Sequence, residues 1–244
     1  MFSYEMLVNC ENRLPEDFVP PSLAAPDIAF AADPSDEKRF LEVRAARHAK
    51  RLFDAAKAEG IFLYGISGYR SYERQEILYQ KACCKSSAAS SLCETAMPGC
   101  SEHQTGLALD VSCPAVSLNL SQAFSETAEG RWLARHAPLY GFIIRYPKGK
   151  EHLTKIPAEP WHIRYVTRSL ALCLTLTGQV LEEYYACCER SYLNPTSVVS
   201  TSVTGKVSQK YCSPNLENRY PSGTNKTIVL TTVRIELFTA LPIA

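Results

Sequence analysis

The chain has 244 residues, a hydrophobic fraction of 46% and a formal net charge of +1. That is enough length and apolar content for one large domain, or for a domain with an appendage. The charge balance supplies no basic stripe for nucleic acid or an anionic membrane, and no run of about 18 apolar residues could form a membrane-crossing helix. The N-terminus, Met1-Phe2-Ser3-Tyr4-Glu5-Met6, lacks the basic-then-apolar pattern of an export signal. Two expectations stay open: a cytoplasmic protein, or an exported one whose signal is missing from this chain. The ten cysteines, Cys10, Cys83, Cys84, Cys93, Cys100, Cys113, Cys173, Cys187, Cys188 and Cys212, are even in number and hint at an oxidising compartment. Five of them fall between Cys83 and Cys113, so a local disulfide staple and unpaired thiols are equally open.

In chain order, residues 1–33 read as an extended, proline-punctuated segment that wraps over the domain surface; Leu14-Pro15 and Pro20-Pro21 set its character. Asp33-Pro34 supplies a helix cap and first turn, and the helix is expected to run to Glu59, with Gly60 ending it. Leu41, Ala45, Ala49, Leu52, Phe53 and Ala56 recur at helical spacing and form its core face. His48, among Arg44, Arg47, Lys50 and Arg51, reads as part of a solvated face. Ile61 to Ile66 reads as a buried strand, followed by a corner at Arg70 and a second helix capped by Ser71. Tyr69, Tyr72 and Gln75 share that corner or the first helical turn, where side chains tend to face a cleft.

Cys83 to Met97 is a Ser/Ala/Cys-rich loop closed by Pro98-Gly99. Then comes Ser101-Glu102-His103-Gln104-Thr105-Gly106-Leu107-Ala108-Leu109-Asp110. Gly106 permits a sharp turn, and Leu107 to Val111 reads as a buried strand. An aspartate inside such a strand is costly unless its charge is compensated. A metal ion shared with His103 would do so, and so would a plain His–Asp hydrogen bond; the stretch alone does not choose. Pro114 to Thr127 is a polar connection, Glu129 to Tyr140 a short helix ended by Gly141, and Phe142 to Tyr146 a strand. His136 and His152, among polar neighbours, read as non-ligands. In Glu159-Pro160-Trp161-His162-Ile163-Arg164-Tyr165, His162 and Arg164 take one face of a strand and Ile163 and Tyr165 the other. Val166 to Glu183 reads as a closing helix. From 189 to 244 the chain is a Ser/Thr-rich tail of unknown role, in which Ile228 to Phe238 has strong β propensity.

Two imidazoles and a carboxylate, His103, His162 and Asp110, leave a fourth tetrahedral position open, the pattern of a catalytic zinc. Such a zinc lowers the pKa of its water to about 7. Glu159, three residues before His162 and held by Pro160, is placed to act as the base, and Arg70 to bind a carboxylate or a developing oxyanion.

Gly68-Tyr69-Arg70-Ser71, Ser101-x-His103-x-x-Gly106-x-Ala108-x-Asp110 and Glu159-Pro160-Trp161-His162 together resemble the VanY-type D-alanyl-D-alanine carboxypeptidase family, whose metal-site pattern recurs in D,D-dipeptidases and the hedgehog signalling domain. Leu7-Val8-Asn9, Glu129 to Leu133 and Tyr140 to Pro147 extend the likeness, which covers residues 7–186. The resemblance implies an α+β fold, a small, mainly antiparallel sheet with flanking helices and a zinc cleft, over residues 34–188. It implies zinc on His103, Asp110 and His162, Glu159 as general base, Arg70 as the substrate or transition-state arginine, and Ser101, Tyr72 and Gln75 near the substrate. It further implies removal of terminal D-alanine from peptidoglycan stem peptides, hence a place in the cell envelope. The sequence departs from the family at Lys155, where glycine is usual. Alternatives in the same fold are a D,D-dipeptidase and an L,D-carboxypeptidase. From another functional class comes a non-catalytic, zinc-containing wall-binding module, and a third reading is a cysteine-clustered structural zinc domain. Oligomeric state and cysteine pairing are not legible.

Overall fold

The fold, obtained as a computed structural model, is described for residues 2–85 and 95–193. The expected strand at Ile228 to Phe238, the Ser/Thr-rich tail from 194 onward, the middle of the Cys83–Met97 loop, Cys93 and Cys212 lie outside the described residues.

A short ribbon comes first, with β1 (Leu23–Ala24) antiparallel to β2 (Leu41–Glu42). Next come α1 (Val43–Ala58), β3 (Tyr64–Ser67), α2 (Tyr72–Lys85), β4 (Ala108–Ser112), α3 (Ala128–His136) and β5 (Phe142–Tyr146). The one-turn α4 (Glu151–Thr154), β6 (Glu159–Tyr165), α5 (Arg168–Thr177) and α6 (Leu181–Leu193) complete the described chain. The main sheet is ordered β3-β4-β6-β5, with every neighbouring pair antiparallel. One core joins the inner face of α1 (Ala45, Ala49, Leu52, Phe53) to Leu109, Val111, Ile163 and Tyr165 of the central strands and to Trp132 and Leu133 of α3. A second cluster packs Ile143 of β5 against Leu170, Leu174 and Leu181 of α5 and α6. Adjacent residues of β5 thus point into different clusters, as strand alternation requires. The α+β sheet with flanking helices is the fold expected from the sequence.

Four local expectations are corrected. The first long helix begins at Val43, not at Asp33-Pro34, because its cap is the Glu42 carboxylate, which accepts from the Arg44 and Ala45 amides (2.8 and 3.1 Å). The residues before it are drawn into other bonds. The Lys38 and Phe40 carbonyls accept from the Gly68 and Tyr69 amides (2.6 and 2.7 Å), so this segment holds the Arg70 corner instead of extending a helix. The strand read at Ile61 starts later, at Tyr64, and Phe62 is exposed. The single closing helix is two, broken at Gly178, whose φ of +66° ends α5. His48 is half-buried rather than solvated: its Nδ1 lies 3.0 Å from the Tyr140 carbonyl and its ring 4.9 Å from that of Tyr165.

The N-terminal segment does lie along the domain. Gln104 Nε2 donates to the Pro15 and Phe18 carbonyls (3.0 and 3.2 Å), and the Leu14 amide donates to Gly99 (2.8 Å). Cys83, Cys84, Cys100 and Cys113 are free thiols. Lys155, at the family's glycine position, has φ +60°, a left-handed conformation that favours glycine. A Cβ on Gly68 would run into the Phe40 carbonyl and lie 2.8 Å from that of Lys38, both backbone atoms that cannot swing aside. Gly68→Ala is therefore expected to destabilise the fold by about 2 kcal/mol, lowering the Tm by roughly 5 °C. Thermal melting monitored by circular dichroism checks this; an unchanged Tm would show that the corner yields freely.

Candidate metal centre

Three elements bring the site together. Asp110 and His162 are direct cross-strand partners of β4 and β6. His103 comes from the 3-10 turn Glu102–Thr105, all four residues of which are buried. Gly106 stops the turn at φ +68°, where a Cβ would sit 2.8 Å from the Glu42 amide, so the sharp turn expected there does require glycine. Arg70 sits on the corner after β3, with its main-chain amide donating to the His103 carbonyl (3.2 Å).

His103, Asp110 and His162 are all buried, and each offers a ligand atom within 4.8 Å of the others. His103 Nε2 lies 3.3 Å from Asp110 Oδ2, and His162 Nδ1 lies 3.0 Å from Asp110 Oδ1. Glu159 Oε2 stands 3.7 Å from the same His162 Nδ1. Among the described residues, this is the group of His, Cys, Asp and Glu side chains close enough to share a metal ion, and no cysteine belongs to it. The donor set suits a divalent ion of zinc's preference: two ring nitrogens, one carboxylate and an open side. Glu159, about a fifth exposed where the other three are nearly closed off, marks that open side.

The electrostatics separate the roles. Burial alone would raise the pKa of Asp110, but His103 and His162 outweigh it and hold the carboxyl ionised, far below the usual range. Burial lowers the pKa of His103 and so favours its neutral imidazole, the form that binds metals. Burial opposes the charge on His162 too, yet its hydrogen bond to Asp110 and the nearby Glu102 carboxylate raise its pKa to about 9 in the metal-free protein. Burial lifts Glu159 to about 7; Asp110 and Glu102 add to the rise, and His162 and Arg70 resist it. A carboxyl near neutrality can both take and return a proton.

The remaining expected site residues fall in place unevenly. Arg70 donates from Nη1 to Gln75 Oε1 (2.8 Å) and from Nη2 to Ser67 Oγ (3.2 Å). Gln75 is buried and donates in turn to the Ala96 carbonyl (2.6 Å), so it braces Arg70 from behind instead of standing at the opening. Ser101 begins the His103 turn, buried, with no capping bond from its hydroxyl. Tyr72 is half-buried at the start of α2. His136 stacks on Trp132 at 4.2 Å, and neither it nor His152 belongs to the cluster.

Sequence reasoning missed Glu102 and Tyr146. Glu102 is fully enclosed between Arg145 and Arg164, and the Tyr146 ring tilts over His162 at 4.9 Å. A signal for the first existed: arginines inside the apolar runs Ile144-Arg145-Tyr146 and Ile163-Arg164-Tyr165 require a buried counter-charge. Beside the site, a cavity of about 530 Å³ is lined by Arg131, Arg135, Ile144, Tyr146, Lys148 and Pro160, among others, and meets the metal cluster's neighbours at Tyr146 and Pro160.

Comparison with known proteins gives a consistent picture. A family model described as VanY, D-alanyl-D-alanine carboxypeptidase, matches residues 38–168. A putative carboxypeptidase, YodJ, of Bacillus subtilis (strain 168) is 43% identical over 73% of this chain and 66% of its own length. A bifunctional D-Ala-D-Ala dipeptidase and carboxypeptidase, VanXYC, of Enterococcus gallinarum is 32% identical over 73% of this chain and 92% of its own. Among solved structures, the LdcB LD-carboxypeptidase matches with TM-score 0.69 and 43% identity, over 74% of this chain and 84% of that one. A D,D-pentapeptidase VanY variant in complex with Zn(II) matches with TM-score 0.59 and 30% identity, over 75% and 98%. The chain spans 66, 64 and 54% of the length of the first three curated relatives it matches.

Glu159 makes the metal-free protein sensitive to pH. Its folded pKa is raised, so the fold favours the protonated form. Its contribution is fully present at pH 4 and lost as the pH climbs through about 7. Glu159→Gln is expected to stabilise the metal-free protein at pH 8 by about 2 kcal/mol and to change little at pH 4. Melting curves at the two pH values check this; an equal effect at both would show that the carboxyl's ionisation is not what the fold resists.

Proposed function

The chain belongs to the VanY D-alanyl-D-alanine carboxypeptidase family, and on that premise we propose that it is a zinc-dependent D,D-carboxypeptidase. Its substrate in this reading is a peptidoglycan stem peptide ending in D-Ala-D-Ala. The observation that carries the reading is the buried His103–Asp110–His162 cluster with Glu159 at its open side, 3.7 Å from His162. The Zn(II) complex of the VanY neighbour supports zinc as the ion for this donor set.

His103, Asp110 and His162 would hold the zinc, which would supply Lewis acidity for the scissile carbonyl and for a water whose pKa it would lower to about 7. Glu159 takes a proton from the attacking water on its carboxylate. The water oxygen bonds to the carbonyl carbon, the C–N bond breaks, and Glu159 returns the proton to the departing amine of D-alanine. Near-neutral basicity suits the carboxyl to both transfers. Arg70, fixed by Gln75 and Ser67, holds the terminal carboxylate of the substrate or the developing oxyanion. Tyr72 follows Arg70 by two residues and Ser101 precedes His103 by two, and in this reading both contact the substrate. The neighbouring cavity at Tyr146 and Pro160 has room for the stem peptide leading away from the scissile bond.

A second reading has a specific observation in its favour. The solved structure at 43% identity is an LD-carboxypeptidase, whereas the D,D-pentapeptidase is 30% identical. In that reading the site removes the last D-alanine of a tetrapeptide. Either substrate class fits a place in the cell envelope; among the described residues, no helix is long and apolar enough to cross a membrane.

The test is cleavage of defined stem peptides by the zinc-loaded protein, with products identified by mass spectrometry. Release of one D-alanine from the pentapeptide is the expected result. Release only from the tetrapeptide would replace the D,D assignment with the L,D one, and splitting of free D-Ala-D-Ala would make the protein a dipeptidase. Glu159→Ala should keep its zinc and lose about 10²- to 10⁴-fold in kcat. Full turnover in that variant would remove Glu159 from the base role, and zinc binding without any turnover in the wild type would leave a wall-binding module.

A further inference from the structure

Among the described residues, the most heavily enclosed charges lie next to the metal cluster. Glu102, Arg145 and Arg164 are each 1% exposed or less. Glu102 Oε1 accepts from Arg145 Nε and from Arg164 Nη1, both at 2.7 Å. Arg145 continues to Glu182 on α6 with two bonds (2.9 and 2.6 Å). Arg164 continues to the main chain of the N-terminal segment, donating to the Tyr4 and Met6 carbonyls (3.3 and 2.8 Å). Both arginines act on the same oxygen, which leaves the other, Oε2, buried with no hydrogen-bond partner.

One further fully buried polar atom lacks a partner at the same place: His162 Nε2. The two atoms face each other at 3.6 Å, a few tenths of an ångström beyond a normal hydrogen bond. Two buried, complementary atoms with no other partner are a donor and acceptor waiting on a small adjustment, since leaving both unmet is costly. The opposite nitrogen of the ring, Nδ1, points to Asp110 and Glu159.

We propose, building on the zinc reading above, that Glu102 is the positioning residue of the metal site: it accepts the Nε2–H of His162 and thereby makes Nδ1 the nitrogen offered to the metal. His103 is set the other way round. Its Nδ1 lies 2.7 Å from the Gly68 carbonyl, so Nε2 is its free nitrogen, directed to Asp110. The two imidazoles thus present different nitrogens, one oriented by a main-chain carbonyl and one by an anion. The two arginines keep that anion from rotating or taking up a proton. Carboxylates that orient metal-bound histidines change metal affinity when removed, even though they never touch the ion.

The experiment has two arms. In the first, long-range ¹H–¹⁵N spectra of the zinc-loaded wild type identify which nitrogen of each ring carries the proton. The expected result is Nε2–H for His162 and Nδ1–H for His103; Nδ1–H on His162 overturns the proposal. In the second, zinc affinity is measured by competition with a chromophoric chelator. Glu102→Gln, whose amide cannot serve two arginines and a ring N–H as an anion does, is expected to bind zinc about 10- to 100-fold more weakly. Glu182→Gln, which cuts the outer end of the same network, is expected to lower the Tm and leave zinc affinity unchanged. Equal loss in both variants, or none in Glu102→Gln, overturns the proposal. If Glu102→Gln does not fold, the spectra of the wild type decide alone. A wild type that binds no zinc overturns the reading beneath the proposal, an outcome distinct from zinc bound through the wrong nitrogen.

Discussion

Pairing of β4 with β6 in the register that sets Asp110 opposite His162 is the constraint on which everything else depends. Side chains alternate along a strand, so a slip of one strand by one residue would carry Asp110 or His162 to the far face of the sheet, away from the other. The register is protected on both sides. Leu109 and Ile163, a neighbouring pair in the same ladder, are buried in the core against α1. Arg164, one residue further along, is held by Glu102 and the N-terminal segment. The apolar face supplies stability, and the polar face allows that stability to be reached in a single alignment.

Around this pair, charges are arranged in two shells of opposite purpose. The inner group has Asp110 held ionised, His103 biased toward its neutral form, Glu159 raised to about 7 by burial, and Arg70 braced by Gln75. The outer group, Glu102 with Arg145 and Arg164, is closed to water, and Glu182 at its outer end is partly exposed. Removing one member of such a buried set leaves another charge uncompensated, which typically costs about 3–5 kcal/mol. The fold therefore depends on charged residues at the place where it must also hold a ligand geometry. The same carboxylate, Glu102, belongs to both tasks.

Much of this was legible in the sequence, in proportion to how local each determinant is. Phe142 to Tyr146, an apolar run between Gly141 and Pro147, is a strand over the span read for it. The metal cluster was legible because an aspartate in a buried strand and a histidine after Pro160-Trp161 make little sense without each other. Helix boundaries failed where the deciding bond was distant. Asp33-Pro34 is a good local start signal, but the carbonyls of Lys38 and Phe40 are taken by Gly68 and Tyr69, and Glu42 caps the helix instead. The polar company of His48 suggested solvent, yet the ring meets Tyr140 and Tyr165, which lie some ninety residues or more away in sequence. The resemblance put Gln75 near the substrate; its buried side chain accepts from Arg70 and donates to the Ala96 carbonyl. Glu102 was hidden for the converse reason: it sits in the motif, but its partners lie on strands far along the chain.

The central claim is that His103, Asp110 and His162 hold zinc. Anomalous diffraction at the zinc absorption edge, from crystals grown with one equivalent of the metal, tests it most directly. The account predicts one strong peak bonded to His103, Asp110 and Nδ1 of His162, with Glu159 beside it on the open side. A peak among the cysteines, or none at the His–Asp–His cluster, would contradict it.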